Sequence, residues 1–177
     1  DCAKPLAPLN GSKVVDYSIT AIHDFAKTGK NDLKISIVTG YQREEVETHL
    51  KNRFPNQLDY TFQAEQNGTG HAVQCFMDQC EWGDKTDYTF ILCADTPLLT
   101  SDIFSSLFET INSQNCDAVG ATFEVENPTG YGRVVRGEKS GFSIIEEKDA
   151  SEEIKKIKEV NTGIMAFAPD KLENWLQ

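Results

Sequence analysis

Apolar and polar positions change period repeatedly along this chain. Short β-prone runs occur at 34–39 (KISIVT), 58–63, 88–94 (YTFILCA) and 117–125. Between them, apolar residues recur every three or four positions. The alternation predicts strands joined by amphipathic helices over 13–28, 43–53, 69–80, 101–113, 151–158 and the C-terminal end. Shorter strands are expected near 133–136, 142–147 and 163–168. The run 88–94 is apolar almost throughout, which predicts a strand covered on both faces. After about residue 117 strands crowd together with fewer helices between them, as in an antiparallel or mixed sheet. The pattern is that of an α/β protein. Repeats, low-complexity tracts and linkers are lacking, so residues 1–177 read as one domain.

Composition narrows this further. A chain of 177 residues with 39% hydrophobic and 25% charged residues has the make-up of an ordinary globular domain. Its formal charge of −11 argues against a nucleic-acid partner, which favours a basic face. An anionic substrate would need a divalent cation and a few placed lysines or arginines. The cysteines number 5, an odd count without a C-x-x-C pair, which favours reduced thiols in the cytoplasm over disulfides or zinc. No apolar run has membrane-spanning length, and no signal peptide opens the chain. The start, DCAKPLAPL, has neither an initiator methionine nor a leading strand and reads as part of a longer protein.

Several stretches suggest chemistry. QAEQNGTGHA (63–72) places Gly68 and Gly70 around Thr69 where a strand gives way to a helix. A turn needs one glycine; two flanking a hydroxyl suggest that a ligand approaches the backbone. The stretch fits neither G-x-G-x-x-G nor a Walker A loop. In ILCADTPLL (91–99), Asp95 ends an apolar strand, where open α/β sheets present ligand-contacting groups. It suits Mg²⁺ and equally suits the start of a turn before Pro97. NPTGYGRVV (127–135) brackets Tyr131 with Gly130 and Gly132, either for a ligand or for a connection needing positive φ. Glu146 in IIEEKDA and Asn161 in EVNTGI could bond sugar hydroxyls, or be a solvated strand edge and an Asn-Thr-Gly turn. His23, His49 and His71 read as surface or capping residues, and Ser151 as a helix cap.

Taken in order, KPLAPLNG, QAEQNGTGHAVQ, ADTPLL, PTGYGRVVR, IIEEKDAS and IKEVNTGI resemble the uridyltransferase domain of bacterial N-acetylglucosamine-1-phosphate uridyltransferases. The resemblance spans nearly the whole chain. It implies a Rossmann-like nucleotide-diphospho-sugar transferase fold with a mixed central sheet. It also implies a cytoplasmic, Mg²⁺-dependent enzyme of peptidoglycan-precursor synthesis. UTP and N-acetylglucosamine 1-phosphate would yield UDP-N-acetylglucosamine and pyrophosphate. By the same resemblance Lys4 touches phosphate, Gln63 reads the uracil edge, and Gly68 and Thr69 let base and ribose lie on the backbone. Asp95 holds Mg²⁺, while Gly132, Glu146 and Asn161 contact the sugar.

The sequence departs from the family pattern in places. Cys93 and Ala94 occupy substrate-contacting positions where the family has Tyr-Gly, and GSKV (11–14) replaces Gly-Lys-Pro. The glycine-rich phosphate loop that precedes the Lys4 segment and an asparagine completing the metal site are not in the 177 residues. The expectation is that these residues alone are inactive. Alternatives are a related enzyme using another sugar phosphate, or a regulatory module that binds nucleotide sugars without catalysis.

Overall fold

The computed structural model describes residues 2–29, 32–79, 88–137, 141–169 and 171–172. Internal contacts divide the chain into two compact units. The first comprises Asp1–Asp87, Cys93–Ser106 and Pro169–Gln177; the second comprises Tyr88–Leu92 and Leu107–Ala168.

The first unit opens with a 3-10 turn, Lys4–Leu6, and a small antiparallel hairpin, β1 (Pro8–Leu9) and β2 (Ser12–Lys13). Asn10 (φ 45°) and Gly11 (φ 81°) turn the hairpin, the backbone signs that an Asn-Gly pair adopts most readily. Helix α1 (Val14–Gly29) buries Val15, Ile19 and Phe25 on one face. Strand β3 (Ser36–Thr39) lies parallel to β4 (Asp59–Phe62), with α2 (Arg43–Arg53) as the crossover between them. Val15 and Ile19 pack with Val46, Leu50 and Phe54 into one apolar cluster. Helix α3 (Thr69–Gln79) follows β4.

One carboxylate ties α2 to the strand pair. Glu47, only 7% exposed, takes bonds from Thr39 Oγ1 (3.0 Å), Arg43 Nε (2.6 Å) and Lys51 Nζ (2.8 Å). Burial favours its protonation, but the bonds from Lys51, Arg43 and Thr39 outweigh that and hold its pKa below the ordinary value. Arg43 also lies over the Phe62 ring and Lys51 over Tyr60.

The second unit is an antiparallel sheet of 5 strands. These are β5 (Thr89–Ile91), β6 (Ala118–Glu124), β7 (Arg133–Arg136), β8 (Phe142–Ile145) and β9 (Glu159–Phe167). β9 pairs with β6 along its length, with β5 near its C-terminal end and with β7 near its start. Val160 and Ala166 of β9 are fully buried. Helix α4 (Ser101–Gln114) begins in the first unit and ends in the second. The parallel pair β3–β4 and the antiparallel pairs elsewhere give the α/β protein with mixed strand pairing that was expected.

Two elements differ from expectation. The helix expected over 151–158 is a turn and a short 3-10 helix, Ile154–Lys156. Ser151 Oγ accepts from the Ile154 N–H at 3.3 Å, but the cap position is Glu153, without a side-chain cap bond, and the chain must extend again by Glu159 to pair in β9. β5 stops at Ile91, short of residue 94, and its residues are half-buried. Among the described residues it has one strand neighbour, β9, which bulges just beyond their shared pairs. The expected last residue of α3 and most of the C-terminal helix lie outside the described residues.

Candidate active site

The Gly-Thr-Gly stretch lies where β4 gives way to α3. Gly68 sits at φ 95°, where a side chain would be strained, and its carbonyl accepts the first helical bond from Ala72 N–H (3.1 Å). The same carbonyl accepts Gln63 Nε2 at 3.2 Å. Gln63 leaves β4 with its N–H on the Thr39 carbonyl (2.8 Å), and its side chain is only 9% exposed. Thr69 and Gly70 are exposed, and a methyl at Gly70 would meet nothing within 4 Å. A buried amide thus lies beneath open backbone, an arrangement suited to a flat ring. Lys4, Gln63, Gly68, Thr69, Cys93, Ala94 and Asp95 all belong to this first unit.

Asp95 is an exposed carboxylate in the turn after the β5 segment. Thr96 Oγ1 closes that turn by donating to the Cys93 carbonyl (2.7 Å), and Ser18 Oγ from α1 donates to the Thr96 carbonyl (3.2 Å). The turn reading and the metal reading of this stretch are therefore compatible. Cys93 is half-buried; burial first, and the Asp95 charge second, push its thiol pKa up. Ala94 packs on the apolar cluster of α1 and α2. Lys4 is exposed at the start of the first 3-10 turn.

Mg²⁺ commonly takes one or two carboxylates and completes its shell with water and phosphate oxygens. A single exposed carboxylate held by a bonded turn fits that use. Among the described residues no group of three or more His, Cys, Asp or Glu could form a protein cage instead.

In the second unit Gly132, Glu146 and Asn161 are brought together. The Gly132 carbonyl accepts the Asn161 N–H at 2.9 Å. A methyl on Gly132 would stand 2.9 Å from Ile144 Cγ2 and 3.4 Å from Glu146 Oε1, so only glycine admits this approach. Asn161 sits at a β9 bulge. The pairing Gly120↔Met165 gives way to Thr122↔Asn161, and Gly163 turns at φ 76°. Asn161 Oδ1 accepts the Gly163 N–H (3.0 Å), and Thr162 Oγ1 bonds the Ala121 carbonyl (2.7 Å). The Asn-Thr-Gly turn is present, and it uses one lone pair of the amide oxygen while leaving Nδ2 as a donor. Glu146 follows β8 directly, before a 3-10 turn (Glu147–Asp149), with its side chain exposed.

The residues that brace this cluster had no role in the sequence reading. Arg133, 1% exposed, donates to the Tyr131 carbonyl, to Glu147 Oε2 and to the Lys155 carbonyl. Glu147 Oε2 also accepts the Gly130 N–H at 3.4 Å. Tyr131, 44% exposed, meets Phe123 edge-on at 5.5 Å. The signal was an arginine opening an apolar strand; its partner, Glu147, could not be chosen among neighbouring glutamates. Two histidines also differ from expectation. His49 Nε2 pairs with buried Asp16 (2.7 Å), and His71 Nδ1 faces Gln63 Nε2 (3.0 Å).

The chain belongs to the nucleotidyl transferase family, whose model matches residues 1–177. It is 38% identical over 175 residues to the bifunctional protein GlmU of Corynebacterium efficiens, covering 94% of this chain and 34% of that protein. It is 39% identical to that of Nitrosomonas europaea, covering 98% and 36%. The match is to the uridyltransferase domain that the sequence motifs resemble, and the chain spans about a third of those relatives. Among solved structures, HddC from Yersinia pseudotuberculosis complexed with GMP-PN shares the fold at TM-score 0.67 and 17% identity, covering 95% of this chain and 68% of that one. An apo UDP-glucose pyrophosphorylase does so at TM-score 0.65 and 16%, covering 96% and 70%. Among the described residues no helix is long and apolar enough to cross a membrane.

Proposed function

We propose that residues 1–177 are part of one nucleotidyltransferase domain which, in the intact protein, forms UDP-N-acetylglucosamine and pyrophosphate from UTP and N-acetylglucosamine 1-phosphate. The observation that carries this is the gathering of Gly132, Glu146 and Asn161, residues of three separate motifs, into one polar cluster. Glu146 offers acceptors and Asn161 Nδ2 offers donors, the complement of sugar hydroxyls and an acetamido group. In the first unit, Gln63 beneath the Gly68 turn takes the base and Thr69 the ribose. Lys4 takes phosphate.

The attacking phosphate, with a second pKa of about 6, is largely ionised at neutral pH and needs no strong base. The protein's part is therefore positioning and charge neutralisation. Asp95 would hold Mg²⁺, which when bound offsets negative charge on the triphosphate oxygens of a substrate that enters an acidic protein. The test is pyrophosphate release by the intact protein, supplied with UTP, Mg²⁺ and N-acetylglucosamine 1-phosphate. Turnover is expected with this pair. Asp95→Asn should lose most of it while the melting curve is kept. Full activity of that variant at ordinary Mg²⁺ would exclude Asp95 from the metal role, and no turnover with this pair would reject the substrates.

A further inference from the structure

Gln63 Nε2 lies 3.2 Å from the Gly68 carbonyl oxygen and 3.0 Å from His71 Nδ1. A carbonyl oxygen only accepts, so the nitrogen end of the amide must face it. The second hydrogen of that nitrogen then goes to His71 Nδ1, which must be the accepting atom. His71 carries its proton on Nε2, 3.6 Å from Cys75 Sγ, a weak acceptor one helical turn along α3. Both Gln63 N–H groups are spent, and among the described residues Oε1 takes no donor. A free glutamine amide can present either end to a ligand; this one is held one way round.

We propose that His71 is a positioning residue that, together with the Gly68 carbonyl, locks the Gln63 amide in place and so selects the class of base. With Oε1 as the free atom, the site takes bases carrying a ring N–H on the facing edge, as uracil, thymine and guanine do. Cytosine and adenine present a bare ring nitrogen there, which would set lone pair against lone pair. The Gly68 carbonyl sets which end of the amide is nitrogen; His71 Nδ1 holds the second hydrogen and so keeps the amide from swinging away. The inference rests on the proposed role of Gln63 at the base.

Calorimetric titration of UTP and CTP into the intact protein separates the two ideas. Wild type should prefer UTP. Gln63→Leu should abolish the preference. His71→Leu should reduce the UTP:CTP affinity ratio by about tenfold, the consequence of losing one polar constraint. His71→Asn, which can place an oxygen acceptor near the Nδ1 position, should keep the ratio within about threefold of wild type. An undiminished ratio in His71→Leu, with the ratio lost in Gln63→Leu, overturns the positioning role and leaves the base reading standing. A ratio retained in Gln63→Leu, or no preference in wild type, overturns the base reading itself. Nitrogen NMR of the wild-type His71 ring does not depend on any variant folding, and a proton found on Nδ1 would overturn the positioning role.

Discussion

Glu147 places its carboxylate 2.5 Å from the guanidinium of Arg133, a side chain only 1% exposed. The pair closes the 127–132 loop against the segment that follows β8, because Glu147 also accepts the Gly130 N–H and Arg133 also donates to the Lys155 carbonyl. Removing the carboxylate strands a buried cation, the costly way to break such a pair. Glu147→Gln should lower Tm more than Glu146→Gln next to it.

The pH dependence of that loss has a definite sign. The Arg133 hydrogen bond, and less so the Gly130 N–H, hold the Glu147 pKa below its ordinary value, although desolvation opposes them. A carboxylate with a lowered native pKa contributes fully above its unfolded value of about 4.3 and loses that contribution as pH falls through the native value. The stability gap between wild type and Glu147→Gln, followed by urea unfolding, should close in acid. A gap unchanged from about pH 7 down to about pH 2 would refute the assignment.

Gly132→Ala should cost about 1–3 kcal/mol, the usual range for forcing atoms into filled space. The new methyl would stand 2.9 Å from Ile144 Cγ2. Trimming that neighbour makes room, so in a double-mutant cycle Gly132→Ala with Ile144→Ala should cost less than the sum of the two. Strict additivity would show that the approach is not tight. Because Glu146 Oε1 would be 3.4 Å from the same methyl, binding of N-acetylglucosamine 1-phosphate should weaken as well.

Asp16 makes a third case. It is 3% exposed at the third helical position of α1 and accepts from Ser12 Oγ (2.6 Å), the Lys13 N–H (2.9 Å) and His49 Nε2 (2.7 Å). Burial pushes its pKa up, but the bonds from Ser12, His49 and Lys13 together bring it below the ordinary value. Asp16→Asn should destabilise by about 1–3 kcal/mol near neutral pH, as expected when buried partners lose their acceptor. The deficit should fade as pH falls below about 3.9, where the wild-type carboxyl is protonated in turn. Unfolding curves of both proteins across that range decide it.

Local pattern was enough for most elements of this protein. The period of apolar residues located α1, α2, α3 and α4 and most strands, because helix and strand each impose a repeat that a single segment displays. The order of six short motifs was enough for the family. Even the Asn10-Gly11 hairpin, which the period-based reading passed over, carried its own local signal. What the chain could not show along its length was pairing. His49 meets Asp16 across 33 positions and Arg133 meets Glu147 across 14, and nothing local chose those partners from the other carboxylates. The helix expected at 151–158 failed for the same reason: its charge pattern suits a helix, but pairing in β9 requires extended backbone by Glu159. The polarity of Gln63 was likewise undetermined in sequence. An amide offers a donor and an acceptor alike, and only the Gly68 carbonyl and the His71 ring, set in place by the turn into α3, decided which end remains free.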